Sequence, residues 1–295
     1  MRPAALLLLL AACAVGHAAP VEEALRVPVR FTTLRGEPVE QPVEVLFYRD
    51  DARTGPAPLV VISHGRSPDA KARQALGRAS YPKVVPFFLE RGFVVAVPTR
   101  VGYGRTGGPD LEDSGPCEHR DFAPAYDAAA RQVQAVVEHL RGRPDVRPDQ
   151  TLLVGQSFGG VTTLSLAASN LAGVQAGINF AGGGGGNPRA RPGQPCGPDR
   201  MEAMLREYGR HARVPVLWVY AENDRYFGAE LPRRWFAAYA EGGAPAEFQQ
   251  YGPHGSDGHA LFAHWPGVWH ARVDAFLSRH GYAVPIPVPP LKAPR

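Results

Sequence analysis

Apolar runs of strand length alternate with stretches of helical period through most of this chain, and that alternation limits the fold more than any other feature. The runs are Pro58–Ser63 (PLVVIS), Phe93–Pro98 (FVVAVP), Thr151–Gly155 (TLLVG), Gly173–Ala181 and Val214–Tyr220 (VPVLWVY). A strand with one wet face alternates polar and apolar residues; these runs do not, so each should be covered on both faces. Helical spacing marks Lys83–Arg91, Ala125–Arg141, Gly159–Ser169, Asp199–Ala212 and Glu230–Glu241 between or after them. A last strand, Glu247–Tyr251, precedes a last helix, Val268–Arg279, and Arg26–Thr33 with Val43–Tyr48 reads as an opening antiparallel pair. Buried strands separated by helices predict an α/β fold with a mainly parallel central sheet and helices on both faces. The pattern never resets, so the chain reads as a single domain with a core of about residues 22–282.

The ends carry different signals. Residues 1–18 read as a signal peptide: Arg2, an apolar run from Ala4 to Val15 too short to span a bilayer, and small Gly16 and Ala18 ahead of a cut. Leu10-Ala11-Ala12-Cys13 offers the competing reading of a lipoprotein box, with a lipid anchor on Cys13. Cleavage after Ala18 leaves residues 19–295, whereas the lipoprotein reading makes Cys13 the new N-terminus; both place the mature protein in the periplasm or outside the cell, and no later segment has the apolar length of a transmembrane helix. Residues 283–295 form a Pro-rich tail that cannot be helical. Export leaves Cys117 and Cys196 as an even pair in an oxidising compartment, both in Gly/Pro-rich stretches, so a disulfide between them is expected.

Charge excludes more than it suggests. Lysine stands only at positions 71, 83 and 292, so nearly all of the 32 basic residues are arginine, interleaved with 28 acidic ones. No basic stripe with interleaved aromatics exists, which argues against a nucleic-acid partner. The run Gly182–Gly186 is followed by no Lys-Ser/Thr and opens no helix, so it reads as a loop at a strand's carboxyl end rather than a phosphate cradle.

The chemistry centres on Gly155-Gln156-Ser157-Phe158-Gly159, a G-x-S-x-G sequence set between a buried strand and a helix. That setting makes Ser157 the expected nucleophile on a strained strand-to-helix turn, with glycines two residues either side to avoid clashes. A serine hydroxyl needs a base, and in this arrangement the acid and then the histidine follow in sequence. Asp224, in the polar turn after Val214–Tyr220, is the expected acid, with Glu222 as runner-up. His259, in Ser256-Asp257-Gly258-His259, is the expected base; His254 is read as a pocket-lining or solvated loop residue. Backbone N–H groups of Phe158 and of Arg66, in Ser63-His64-Gly65-Arg66, should form the oxyanion hole, with His64 propping that loop. No metal site is expected, since His254 and His259 lack a third ligand at suitable spacing.

Four stretches, VVISHGR (60–66), GQSFGG (155–160), VLWVYAENDRYFG (216–228) and DGHALF (257–262), resemble the α/β-hydrolase superfamily, in its dienelactone hydrolase-like branch. With their strands they cover most of residues 43–280. The resemblance implies an α/β-hydrolase fold and a hydrolase without metal or organic cofactor. It departs from the branch in one respect: dienelactone hydrolases proper carry a cysteine nucleophile where this chain has Ser157, so a serine esterase is the expected activity. The stretch between Ser157 and Asp224 has no insertion long enough for a large cap domain. The loops Gly102–Arg120 and Gly182–Gly197 are expected to wall the site, and Tyr103, Tyr226 and Phe227 to line a substrate pocket with Phe158. Arg66, Arg105 and Arg120 hint at an anionic substrate group. The expectation is an exported enzyme that cleaves small-molecule carboxylic esters through an acyl-enzyme. The alternatives are a peptidase or amidase on the same triad, or a binding protein on a hydrolase fold.

Overall fold

The computed structural model describes residues 20–283. The leader, the Cys13 anchor position and all but the first residue of the Pro-rich tail lie outside these residues. Eight strands form a single sheet: β1 (Pro20–Thr32), β2 (Pro38–Asp50), β3 (Ala57–Ser63), β4 (Val94–Thr99), β5 (Val146–Gln156), β6 (Val174–Phe180), β7 (Val216–Ala221) and β8 (Ala246–Tyr251). Their order is β1-β2-β4-β3-β5-β6-β7-β8. β1–β2 and β2–β4 pair antiparallel, and every pair from β4–β3 to β7–β8 is parallel. The helices are α1 (Ala70–Gln74), α2 (Val85–Glu90), α3 (Ala123–Leu140), α4 (Phe158–Ser169), α5 (Pro198–His211), α6 (Glu230–Glu241), α7 (Leu261–His264) and α8 (Pro266–Arg279).

Successive strand residues face opposite sides, and each side has its own core. Val61, Leu153, Val216 and Trp218 pack with α3 to α6 through residues such as Val133, Leu164, Leu205 and Trp235. Val60, Ile62, Leu152, Val154 and Val219 pack with α2 and α8 through Phe88, Trp269 and Phe276. Both faces of β3, β4, β6, β7 and the second half of β5 are therefore dry, as their uninterrupted apolar sequences require, while the edge strand β8 is half-buried. Each such fully buried side chain contributes roughly 1.5–3 kcal/mol. This is the α/β-hydrolase fold, with no large cap over the described residues.

Where the elements differ from expectation, the cause is local. β5 starts at Val146, earlier than TLLVG, because Arg147-Pro148-Asp149 is exposed and carries no apolar signature. The unanticipated α1 is started by Asp69, whose side chain accepts from the Lys71 N–H at 2.8 Å and the Ala72 N–H at 3.3 Å. Among the described residues no helix is long and apolar enough to cross a membrane. The parallel register sets Ser63 beside Gly155, Gly155 beside Asn179 and Phe180 beside Val219. The carboxyl ends of β3, β5, β6 and β7 thus share one edge, where sheets of this type hold their sites.

Candidate active site

Ser157 stands between β5 and α4 with φ 58° and ψ −121°, in the region that non-glycine residues avoid. Its N–H donates to the Phe180 carbonyl at 2.8 Å, and its own carbonyl accepts from the Gly160 N–H at 2.9 Å. The flanking glycines are demanded by crowding. A Cβ on Gly155 would lie 1.9 Å from the Gly159 oxygen, and one on Gly159 would lie 2.0 Å from the Ser63 oxygen. Gly65 closes over the serine, since a Cβ there would come within 3.2 Å of Ser157 Cβ. The strand–turn–helix thus holds one small, half-buried side chain at the sheet edge.

Asp224 follows β7 and is almost wholly buried, at 3% exposure. Its Oδ1 accepts from the N–H groups of Tyr226 (2.7 Å) and Phe227 (3.1 Å). Its Oδ2 lies 2.9 Å from His259 Nδ1. That bond places the imidazole proton on Nδ1 and leaves Nε2 with its lone pair. His259 sits in a short 3₁₀ turn whose N-cap, Asp257, accepts from the His259 N–H at 3.0 Å. The ring is stacked on Tyr226, 4.0 Å between centroids, with Phe227 edge-on at 5.4 Å. Gln156, the residue before the serine, donates through Nε2 to the His259 carbonyl at 3.1 Å. Serine and histidine loops are thereby tied together, although the Ser157 hydroxyl makes no hydrogen bond to His259 in this structure.

The competing residues fall elsewhere. Glu222 is exposed and faces Arg233 at 3.8 Å. His254 lies on the loop surface, its Nδ1 2.8 Å from the Gly252 carbonyl. His64 is buried and fully engaged: Nδ1 lies 2.7 Å from the Gly65 carbonyl, and Nε2 accepts from the Arg100 N–H at 3.1 Å. Burial, then the Arg100 charge, pushes its pKa well below the ordinary histidine value, so it stays neutral and props its loop. Among the described residues, no group of three His, Cys, Asp or Glu could hold a metal.

The Arg66 and Phe158 N–H groups find no acceptor among the described residues. Phe158 opens α4, where the first amides have no partner within the helix. Both residues line a cavity of about 230 Å³ together with Ser157, Tyr226 and Phe227. Gly183 to Gly186 of the glycine run form part of its wall. A Cβ would meet Phe227 at 2.6 Å from Gly183, the Tyr126 hydroxyl at 2.6 Å from Gly184 and Tyr226 at 2.8 Å from Gly186. Aromatic side chains lie directly on this backbone, which explains the glycines better than loop flexibility does.

Tyr103 is a correction. It does not line this cavity: its ring packs against His64 at 4.6 Å, and its buried hydroxyl donates to Glu112 at 2.5 Å. It faces a separate depression lined by His64 and Gly65. The three arginines also separate. Arg105 is exposed and outside the cavity. Arg66 borders it but forks onto Asp110 at 2.6 and 2.7 Å. Burial, the largest single influence, would lower the Arg66 pKa, but the Asp110 bond together with Tyr103 and Glu112 holds the group above its ordinary value. Arg120 borders the cavity and donates to Ser114 Oγ at 3.0 Å.

Cys117 and Cys196 are bonded, with their Cα atoms 5.1 Å apart. The bridge joins the loop after β4 to the loop after β6, and residues of both wall the cavity. It spans 79 positions, a closure worth about 4 kcal/mol in the chain-entropy account. Cys117→Ser/Cys196→Ser should therefore melt roughly 10 °C below the parent, taking a few degrees per kcal/mol for a domain of this size. Scanning calorimetry without reductant checks this, and an unchanged Tm would show that the bridge adds no stability.

The sequence profile of the Dienelactone hydrolase family matches residues 76–275. Among solved structures, a Klebsiella pneumoniae protein described as a dienelactone hydrolase superposes with a TM-score of 0.60 at 17% identity, covering 89% of this chain and 100% of its own. The acetyl xylan esterase of Paenibacillus sp. R4 gives 0.56 at 15% identity, with 89% and 90% covered. The acylaminoacyl peptidase of Pyrococcus horikoshii gives 0.56 at 16% identity, with 90% of this chain but 43% of the peptidase covered. At these identities the likeness is one of fold. No curated protein matches the sequence.

Proposed function

The chain belongs to the dienelactone hydrolase family of esterase-like hydrolases, and from that premise we propose that it is an exported serine esterase acting through Ser157, His259 and Asp224. The observation that carries the reading is the Asp224–His259 bond, on a loop tied through Gln156 to the turn that holds Ser157 at positive φ. Ser157 Oγ attacks the ester carbonyl carbon while His259 Nε2 takes its proton. Asp224 fixes the imidazole tautomer and stabilises the imidazolium that results. The Arg66 and Phe158 amides donate to the tetrahedral oxyanion. His259 then returns the proton to the departing alkoxide, and water, deprotonated by the same histidine, releases the acid from the acyl-enzyme. Tyr226 and Phe227 flank the imidazole and border the cavity, so they contact the substrate. The cavity's size favours compact esters. The Cys117–Cys196 bond supports an oxidising compartment and hence export.

The test is a substrate panel on the purified, wild-type protein: p-nitrophenyl esters graded from acetyl to long acyl chains, beside the matching p-nitroanilides. Short esters should be turned over, with anilides slower by about 100-fold or more, because the amide carbonyl is less electrophilic and the amine a poorer leaving group. Anilide turnover equal to that of the esters would favour a peptidase, and no turnover of any ester would contradict the proposal.

A further inference from the structure

We propose that Arg100, through its buried ion pair with Glu112, is a positioning residue that holds the two oxyanion amides in register. The proposal rests on the esterase reading above and adds residues that its mechanism does not use.

Arg100 follows β4, Glu112 lies in the next loop, and both side chains are wholly buried. The Arg100 guanidinium bonds the Glu112 carboxylate through Nε and, at 3.2 Å, through Nη2. Its Nη1 donates to Ser63 Oγ at 2.9 Å and to the His64 carbonyl at 2.8 Å. Its backbone N–H donates to His64 Nε2 at 3.1 Å. Ser63 and His64 lead directly into Gly65 and Arg66, so three bonds hold the two residues from which the loop presenting one oxyanion donor departs. The guanidinium carbon also lies 5.6 Å from the centre of the Phe158 ring, whose backbone N–H is the other donor. One side chain therefore braces the residues that lead to the Arg66 amide and packs near the ring of the residue that carries the other donor.

Glu112 is itself held. It accepts from the Tyr103 hydroxyl, and its N–H donates to Asp110 Oδ1 at 3.1 Å. Asp110 in turn grips Arg66 by its side chain, with Arg73 on the same carboxylate at 2.7 Å. Two acids spaced two apart thus hold the Arg66 loop from its side chain and from beneath. A buried ion pair is poor evidence for stability, because an apolar pair of similar volume commonly serves the fold as well. Oxyanion donors, by contrast, must be pre-aligned within a fraction of an ångström to act.

That contrast supplies the experiment. Arg100→Met/Glu112→Leu removes both charges together and leaves none uncompensated. Its Tm should stay within a few degrees of the parent, and KM for p-nitrophenyl acetate within about threefold, while kcat falls about 100-fold, the scale of a misplaced oxyanion donor. The rate at which a fluorophosphonate modifies Ser157 should fall in parallel. Glu112→Gln, which keeps the side-chain volume, should lower kcat about tenfold with KM unchanged, since the group that accepts both Arg100 bonds loses its charge. A folded variant of either kind with wild-type kcat, or with its loss confined to KM, overturns the proposal. Unfolding of both variants would make the pair a stability element and also count against it. Absent modification of Ser157 in the wild type overturns the esterase reading itself, and this proposal with it, and is read before any variant is made.

Discussion

His259→Ala should lower kcat for p-nitrophenyl acetate by roughly 10⁴- to 10⁶-fold, with KM little changed, while His254→Ala stays within about threefold of wild type. The asymmetry follows from where the two rings lie. His259 Nδ1 is bonded to a buried carboxylate, which leaves Nε2 as the acceptor for the serine proton. Its ring is clamped by Tyr226 and Phe227, and its carbonyl is tied to Gln156 beside the nucleophile. His254 bonds only the nearby Gly252 carbonyl through its ring and lies at the loop surface. Without the base, the hydroxyl must lose its proton to water, and most of the barrier reduction disappears. Comparable losses in both variants, or a large loss in His254→Ala alone, would assign the base to the wrong histidine.

Ser157→Ala should be equally severe, about 10⁵-fold in kcat, leaving only the residual rate that binding and the oxyanion amides provide. The fold should survive the change. Alanine meets the same positive-φ restriction that serine already meets at this position, and Ser157 Oγ makes no hydrogen bond to His259 whose loss would cost stability. A Tm within a few degrees of wild type, measured beside the activity, would separate lost chemistry from lost structure. Combining Ser157→Ala with His259→Ala should lower kcat scarcely further, because the two residues act as one unit.

The fold was legible because its signals are local. Short, β-branched, uninterrupted apolar runs such as FVVAVP and TLLVG point to strands with two dry faces, and both cores follow from that. Ser157 was legible from the glycines two residues either side, and backbone crowding against Gly159 and Ser63 explains them. Asp224 and His259 were legible as turn residues after the right strands, yet their contact is a tertiary fact. Tyr103 was misplaced because position in a loop does not say which way a side chain turns. It turns inward, to a buried hydroxyl bond with Glu112. Arg100, Asp110 and Glu112 were missed altogether. An arginine after an apolar strand and two acids in the following loop look solvated in sequence, and in this chain arginine is too common to attract notice. Only the packing of the loop after β4 against the loop after β3 shows that Arg100 and Glu112 are buried and Asp110 partly so. The glycine run was placed correctly at a strand end, but its purpose, packing Phe227 and Tyr226 on bare backbone, needs the third dimension.

The central claim is that Ser157 is a nucleophile activated by the Asp224–His259 pair. Intact-mass and peptide mass spectrometry after exposure to a fluorophosphonate tests it most directly. The folded, wild-type protein should gain one phosphonyl group, located on Ser157, and Ser157→Ala should gain none. Absent modification of the wild type, or undiminished modification of Ser157→Ala, would contradict the account.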